Sequence, residues 1–115
     1  RLEEAIDMAK KCLEWSPKAW KGWESLAYFD LAMAEAPKKH ADPKKVDQTM
    51  EKGLSLCRER GQGLHLAQGY FEYANILFDR GDLYKAQNYL EQAIALFSEM
   101  NMPWWLEQAR ELEKR

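Results

Sequence analysis

Residues 67–98 read AQGYFEYANILFDRGDLYKAQNYLEQAIALFS, and this stretch decides the fold. Its first half places Tyr70, Tyr73, Ala74, Leu77 and Phe78 three and four apart, in a stripe that begins at Leu66. Its second half repeats the pattern with Leu83, Ala86, Leu90, Ala93, Ile94 and Phe97. Because 3.6 residues complete a helical turn, each set lies along one face of a helix. Between the two stands Gly81-Asp82, a glycine able to take the left-handed stop of one helix and an aspartate able to accept the first free amides of the next.

The same punctuation recurs outward from this stretch. Asp42-Pro43 and Ser16-Pro17 each pair an N-cap with proline at the first helical position, where its missing N–H costs nothing. Gly61-Gln62-Gly63 is a break. Helices are predicted over 2–15, 17–35, 43–60, 64–80, 83–98 and 103–114. A sheet is disfavoured, since valine and threonine occur once each and no run alternates with period two.

Three helices share one internal spacing. Ala5, Ala9, Cys12, Leu13 and Trp15 align with Val46, Met50, Gly53, Leu54 and Leu56, and again with Ala86, Leu90, Ala93, Ile94 and Leu96. The offsets are 41 and then 40 residues. The intervening helices align as well: Trp23, Leu26 and Ala27 correspond to Tyr70, Tyr73 and Ala74, and Trp105 and Ala109 continue the series. A near-constant period of this kind marks a stacked helical array. Gly53, Ala74, Ala86 and Ala93 are the small residues expected at close helix crossings.

Residues 67–98 resemble a tetratricopeptide repeat through Tyr70, Tyr73, Ala74, Leu77, Gly81-Asp82, Ala86, Leu90, Ala93 and Leu96, with Ser98 where that family often has proline. Residues 18–60 resemble a degenerate copy, with about seven residues inserted around Pro37 to Pro43, and residues 1–17 a partial one closed by Pro17. Residues 103–114 read as a C-terminal capping helix of the same single domain, 1–115. The resemblance implies an all-α fold of antiparallel helix pairs stacked as a right-handed superhelix. The period near 40 is similar to the longer repeats of bacterial transcription activators of the maltose-regulator type and of large signalling ATPases or cyclases.

That family binds peptides in a concave groove lined by the first helix of each repeat. Carried over by position, the groove residues are Lys21, Glu24, Ser25 and Tyr28, then Gln68, Phe71, Glu72, Asn75 and Asp79. Asn75 matches an asparagine that holds a peptide backbone in chaperone-binding members. With Glu24, Glu72 and Asp79 on this face, a terminal-carboxylate clamp is mostly absent, and an amphipathic or basic segment suits it better. Tyr28, Phe71 and one of Trp104 and Trp105 fall beside the core stripe and are candidates for surface contact, whereas Trp23, Tyr70 and Tyr73 read as core.

Catalytic and cofactor motifs are missing. His40 and His65 stand apart, neither Cys12 nor Cys57 belongs to a metal-binding cluster, and no phosphate-binding glycine loop or nucleophile elbow occurs. The chain therefore reads as a non-enzyme without cofactor or metal, both thiols reduced and buried, with cytoplasmic localisation. A net charge of -2 gives no general attraction for nucleic acid or an anionic membrane. The one basic cluster, Lys38, Lys39, His40, Lys44 and Lys45, reads as a solvated loop. No apolar run approaches the roughly 18 residues of a membrane span.

The function expected is a protein-interaction scaffold within a larger regulatory or signalling protein. A small-ligand sensory module of a transcription regulator is the alternative, and nucleic-acid binding a more distant third. The stripe Leu2, Ala5, Ile6, Ala9 and Leu13 resembles the second helix of a unit whose first helix is absent. The chain is thus expected to be a fragment cut inside a repeat, with Ile6 and Leu13 exposed and available for self-association.

Overall fold

A computed structural model describes residues 21–114, with Glu4, Asp7 and Lys11 ahead of them; side chains are described from Glu24 onward in the continuous stretch. Within the expected helix over 2–15, Glu4, Asp7 and Lys11 are helical and exposed; the rest of it, the exposure of Ile6 and Leu13 and the environment of Cys12 lie outside these residues, as do the side chains of Lys21 and Trp23. In the continuous described stretch five helices follow one another: α1 (Lys21–Glu35), α2 (Pro43–Arg60), α3 (Gly63–Arg80), α4 (Leu83–Glu99) and α5 (Pro103–Glu113). No strand occurs among the described residues. The fold is all-α, a series of antiparallel helix pairs, and none of its described helices is long and apolar enough to cross a membrane.

The helix ends show why the chain turns where it does. Asp42 caps α2 by accepting the Lys44 N–H at 3.0 Å, with Pro43 in the first turn. Gly61, Gly81 and Asn101 follow α2, α3 and α4 with φ of 63°, 88° and 52°, the left-handed conformation that glycine adopts freely and asparagine tolerates. One residue beyond each, the N–H of Gln62, Asp82 and Met102 returns to the carbonyl of Cys57, Leu77 and Phe97 at 2.9, 2.9 and 3.0 Å. These are Schellman closures, which satisfy carbonyls that the helix end leaves unpaired. One expectation is corrected. Asp82 stands at the N-cap of α4, but its side chain makes no capping bond, because its backbone there has ψ of 74° rather than the extended conformation of Asp42.

The chain divides into two compact units, Arg1–Gln62 and Gly63–Arg115. In the first, α1 packs along α2. Phe29, Ala32, Val46, Met50, Leu54 and Cys57 are buried. Gly53 is buried under the Phe29 ring: a Cβ there would stand 2.6 and 2.9 Å from two ring carbons and 3.2 Å from the Ser25 carbonyl oxygen. In the second unit, α4 packs between α3 and α5. Ala74, Leu90, Ala109 and Leu112 form its core, with Phe71, Phe78, Tyr89 and Ile94 packed against them. Tyr89 lies 5.8 Å from Tyr70 and 4.6 Å from Tyr73, ring centre to ring centre. Ala74, Ala86 and Ala93 are fully buried, as their small size required, and Tyr70 and Tyr73 are core residues.

Candidate functional site

Each unit carries part of the expected groove set. In the first unit, Glu24 and Tyr28 lie one helical turn apart on α1, and both are half-buried. With Gln48, Glu51, Lys52, Ser55 and Leu56 of α2 they line an open groove of about 540 Å³. Its apolar surface comes from the Tyr28 ring, Leu56 and the stems of the long polar side chains. The Lys52 Nζ stands 5.9 Å from the centre of the Tyr28 ring, a distance at which an ammonium is drawn to the ring face. Glu24 accepts from Arg60 Nη2 at 3.0 Å, which fixes the end of the groove.

Ser25 does not belong to this surface. It is fully buried against α2, and its hydroxyl donates to Gln62 Oε1 at 3.1 Å. The stripe Ser25, Phe29 and Ala32 is one face that α1 buries, since residues four and then three apart share one side of a helix, and Ala27 and Ala34 are buried on another. Beside Ser25 lies Cys57, a free and buried thiol. Burial pushes its pKa up, and the Ser25 hydroxyl opposes that rise. The thiol is therefore held in its protonated, unreactive form.

On α3, Gln68, Phe71, Glu72 and Asn75 are half-buried and Asp79 is exposed. They form a single stripe beside the buried face of Tyr70, Tyr73, Ala74 and Leu77. Phe71 is braced edge-on against Trp105 of α5, with ring centres 5.9 Å apart. Of the tryptophan pair, Trp105 stacks on Phe97 at 5.2 Å, while Trp104 is exposed.

Reading only the first helix of each pair missed the α2 contribution from Gln48 to Leu56. A polar stripe at helical spacing is present there, but nothing in sequence separates it from an ordinary solvated face. Two further hollows are smaller. One of about 390 Å³ runs along α5 past Pro103, Leu106, Arg110 and Lys114. The other, of about 320 Å³, lies at the α1–α2 turn beside His40, Asp42, Lys45 and Thr49. In the basic loop, Lys38 reaches Glu35 at 3.8 Å, and Lys39, His40, Lys44 and Lys45 are exposed. No group of three or more His, Cys, Asp or Glu among the described residues is placed to hold a metal ion.

Residues 67–99 match the tetratricopeptide repeat family. The match covers α3, its turn and α4, the helix pair with the clearest small-residue stripe. No curated protein sequence and no solved structure matches the chain.

Proposed function

We propose, from the tetratricopeptide repeat at residues 67–99, that this chain is a protein-binding scaffold, that the α3 face is the binding surface of its second unit and that the α1 face offers a surface of its own in the first. Repeats of this family generally serve as non-enzymatic platforms for proteins or peptides. The observation that carries the reading is the α3 stripe. Gln68, Phe71, Glu72, Asn75 and Asp79 stand beside the core face, offering an aromatic anchor among hydrogen-bonding and acidic groups. Glu24 and Tyr28 of α1 offer the same mixture above the 540 Å³ groove. Lys21 completes the set by position, and Ser25 is excluded by its burial.

In this reading residues 18–60 act as a degenerate repeat, 64–98 as the best one and 103–114 as a capping helix, within one cytoplasmic domain of a larger regulatory protein. The occupant is a peptide segment of amphipathic or basic character. A selection of displayed peptides against the whole chain tests this. Changing Tyr28, Phe71 and Asn75 together to alanine should leave the helical spectrum intact and weaken the selected peptides by about tenfold or more, since hot-spot side chains contribute on the order of 1 kcal/mol or more each. Undiminished binding by a folded triple variant places the site elsewhere.

A further inference from the structure

A different surface stands at one end of the unit Gly63–Arg115. Its helices alternate in direction, so the start of α3, the end of α4 and the start of α5 share that end. A Cβ at Gly63 would lie 3.7 Å from Met100 Sδ, which joins the first two. Trp104 sets its ring edge-on to Trp105 at 4.9 Å and leaves 60% of its surface exposed. Leu64 is 38% exposed, Pro103 is exposed, and Met100 and Met102 are half-buried. The turn that presents them is closed by the Asn101 N–H to Ser98 O and the Met102 N–H to Phe97 O. These anchors are therefore held in place before any partner arrives, which lowers the entropy lost on binding.

The charge at this end is predominantly acidic. Residues 63–72 and 96–109 contain Glu72, Glu99 and Glu107 and neither lysine nor arginine. The first cation beyond them is Arg110, which lines the α5 hollow with Pro103 and Glu107. Arg58 and Arg60, just ahead in the chain, are paired with Glu51 and Glu24. The opposite end of the unit is mixed, with Arg80, Lys85 and Lys114 among its acids.

We propose that this end docks a basic amphipathic peptide segment. Its apolar side chains would meet Trp104, Leu64 and the two methionines, and its lysine or arginine side chains would meet Glu99 and Glu107. Tryptophan is a frequent hot spot, and methionine adapts to an irregular apolar surface. Charge complementarity selects this occupant. An anionic lipid surface would be repelled by the carboxylates, and a second copy would bring Glu99 and Glu107 against the same acids. The proposal does not rest on Tyr28, Phe71 or Asn75 of the α1 and α3 faces.

The test is a titration of the whole chain with an amphipathic helical peptide of about fourteen residues, leucines on one face and arginines on the other, followed by the Trp104 indole resonance. We expect saturable binding that shifts this resonance. Trp104→Ala and the double variant Glu99→Lys, Glu107→Lys should each weaken it about tenfold with the helical spectrum unchanged. Tyr28→Ala with Asn75→Ala should not weaken it. Any of several results overturns the proposal: equal binding by the peptide with Arg→Glu or with Leu→Ser, no binding at all, or full affinity in a folded Trp104→Ala chain. Attachment to phosphatidylserine vesicles through Trp104, or a Trp104-dependent dimer without peptide, likewise replaces it.

Discussion

Replacing Gly53 with alanine sets two effects of known sign against each other. Alanine is favoured over glycine inside a helix by about 1 kcal/mol. The new methyl group, however, would stand 2.6 and 2.9 Å from carbons of the Phe29 ring, roughly 1 Å inside ordinary contact. Phe29 is fully buried, so its ring cannot swing into solvent, and the Ser25 carbonyl at 3.2 Å limits movement on the other side. Overpacking of this kind costs about 1–3 kcal/mol. With about 2 kcal/mol as the central value, Gly53→Ala should lose about 1 kcal/mol net, or about 4–8 °C in Tm for a domain near this size. In a Phe29→Leu background the ring is gone, and the same change should gain stability. The double-mutant cycle should therefore show a coupling of about 2 kcal/mol. Urea denaturation followed by far-ultraviolet circular dichroism measures all four corners. A stabilising Gly53→Ala in the parent chain, or a coupling near zero, would refute the close crossing of α1 and α2.

The remaining predictions concern caps, the other small crossings and the buried thiol. Asp42→Ala should lose about 1 kcal/mol, and Asp82→Ala almost nothing, in paired urea melts, because only Asp42 accepts a capping N–H. Ala86→Leu or Ala93→Leu should lose about 1–3 kcal/mol by thermal melt; an unchanged melt would contradict their full burial. In native protein at neutral pH, Cys57 should resist iodoacetamide and react fully in urea, read by mass spectrometry of the peptide containing it. The folded state holds the thiol proton more tightly than the unfolded chain does. Stability should fall as the pH rises from the unfolded thiol's pKa through the higher folded one, and Cys57→Ala should remove that slope.

The helices were legible because their signals were local. Gly61, Gly81 and the Asp42-Pro43 pair each act within one turn, and the structure places helix ends there. The small residues at 74, 86 and 93 were legible because a period repeated in the sequence identified the crossings. What escaped depended on contacts between segments. The pattern Trp23, Leu26 and Ala27 marked one face of α1, and Ala27 is buried, but Ser25 and Phe29 on another face are fully buried as well. Phe29 with Ala32 was the available signal, and the serine one turn ahead of Phe29 hid it. Trp104 and Trp105 are adjacent in sequence and chemically identical. The positions of Phe97 and Phe71, both against Trp105, decide which one packs inward. The Asp82 side chain was assigned its bond by residue type, whereas the local ψ decides whether a cap forms.

The left-handed residues at 61, 81 and 101 are spaced twenty apart, and each is followed by the same return bond to a buried residue at 57, 77 or 97. From the end of α2 onward the chain therefore advances with a fixed stride of one helix and its turn. Two strides make the forty-residue period that first appeared as an alignment of stripes. The turns, rather than the helix surfaces, mark out this length. Residues 62–101 thus form a cassette whose two seams have the same backbone conformation. Duplicating it would add a helix pair without altering either junction, while removing a single residue from α3 or α4 would rotate the later side chains of that helix about its axis by roughly 100°.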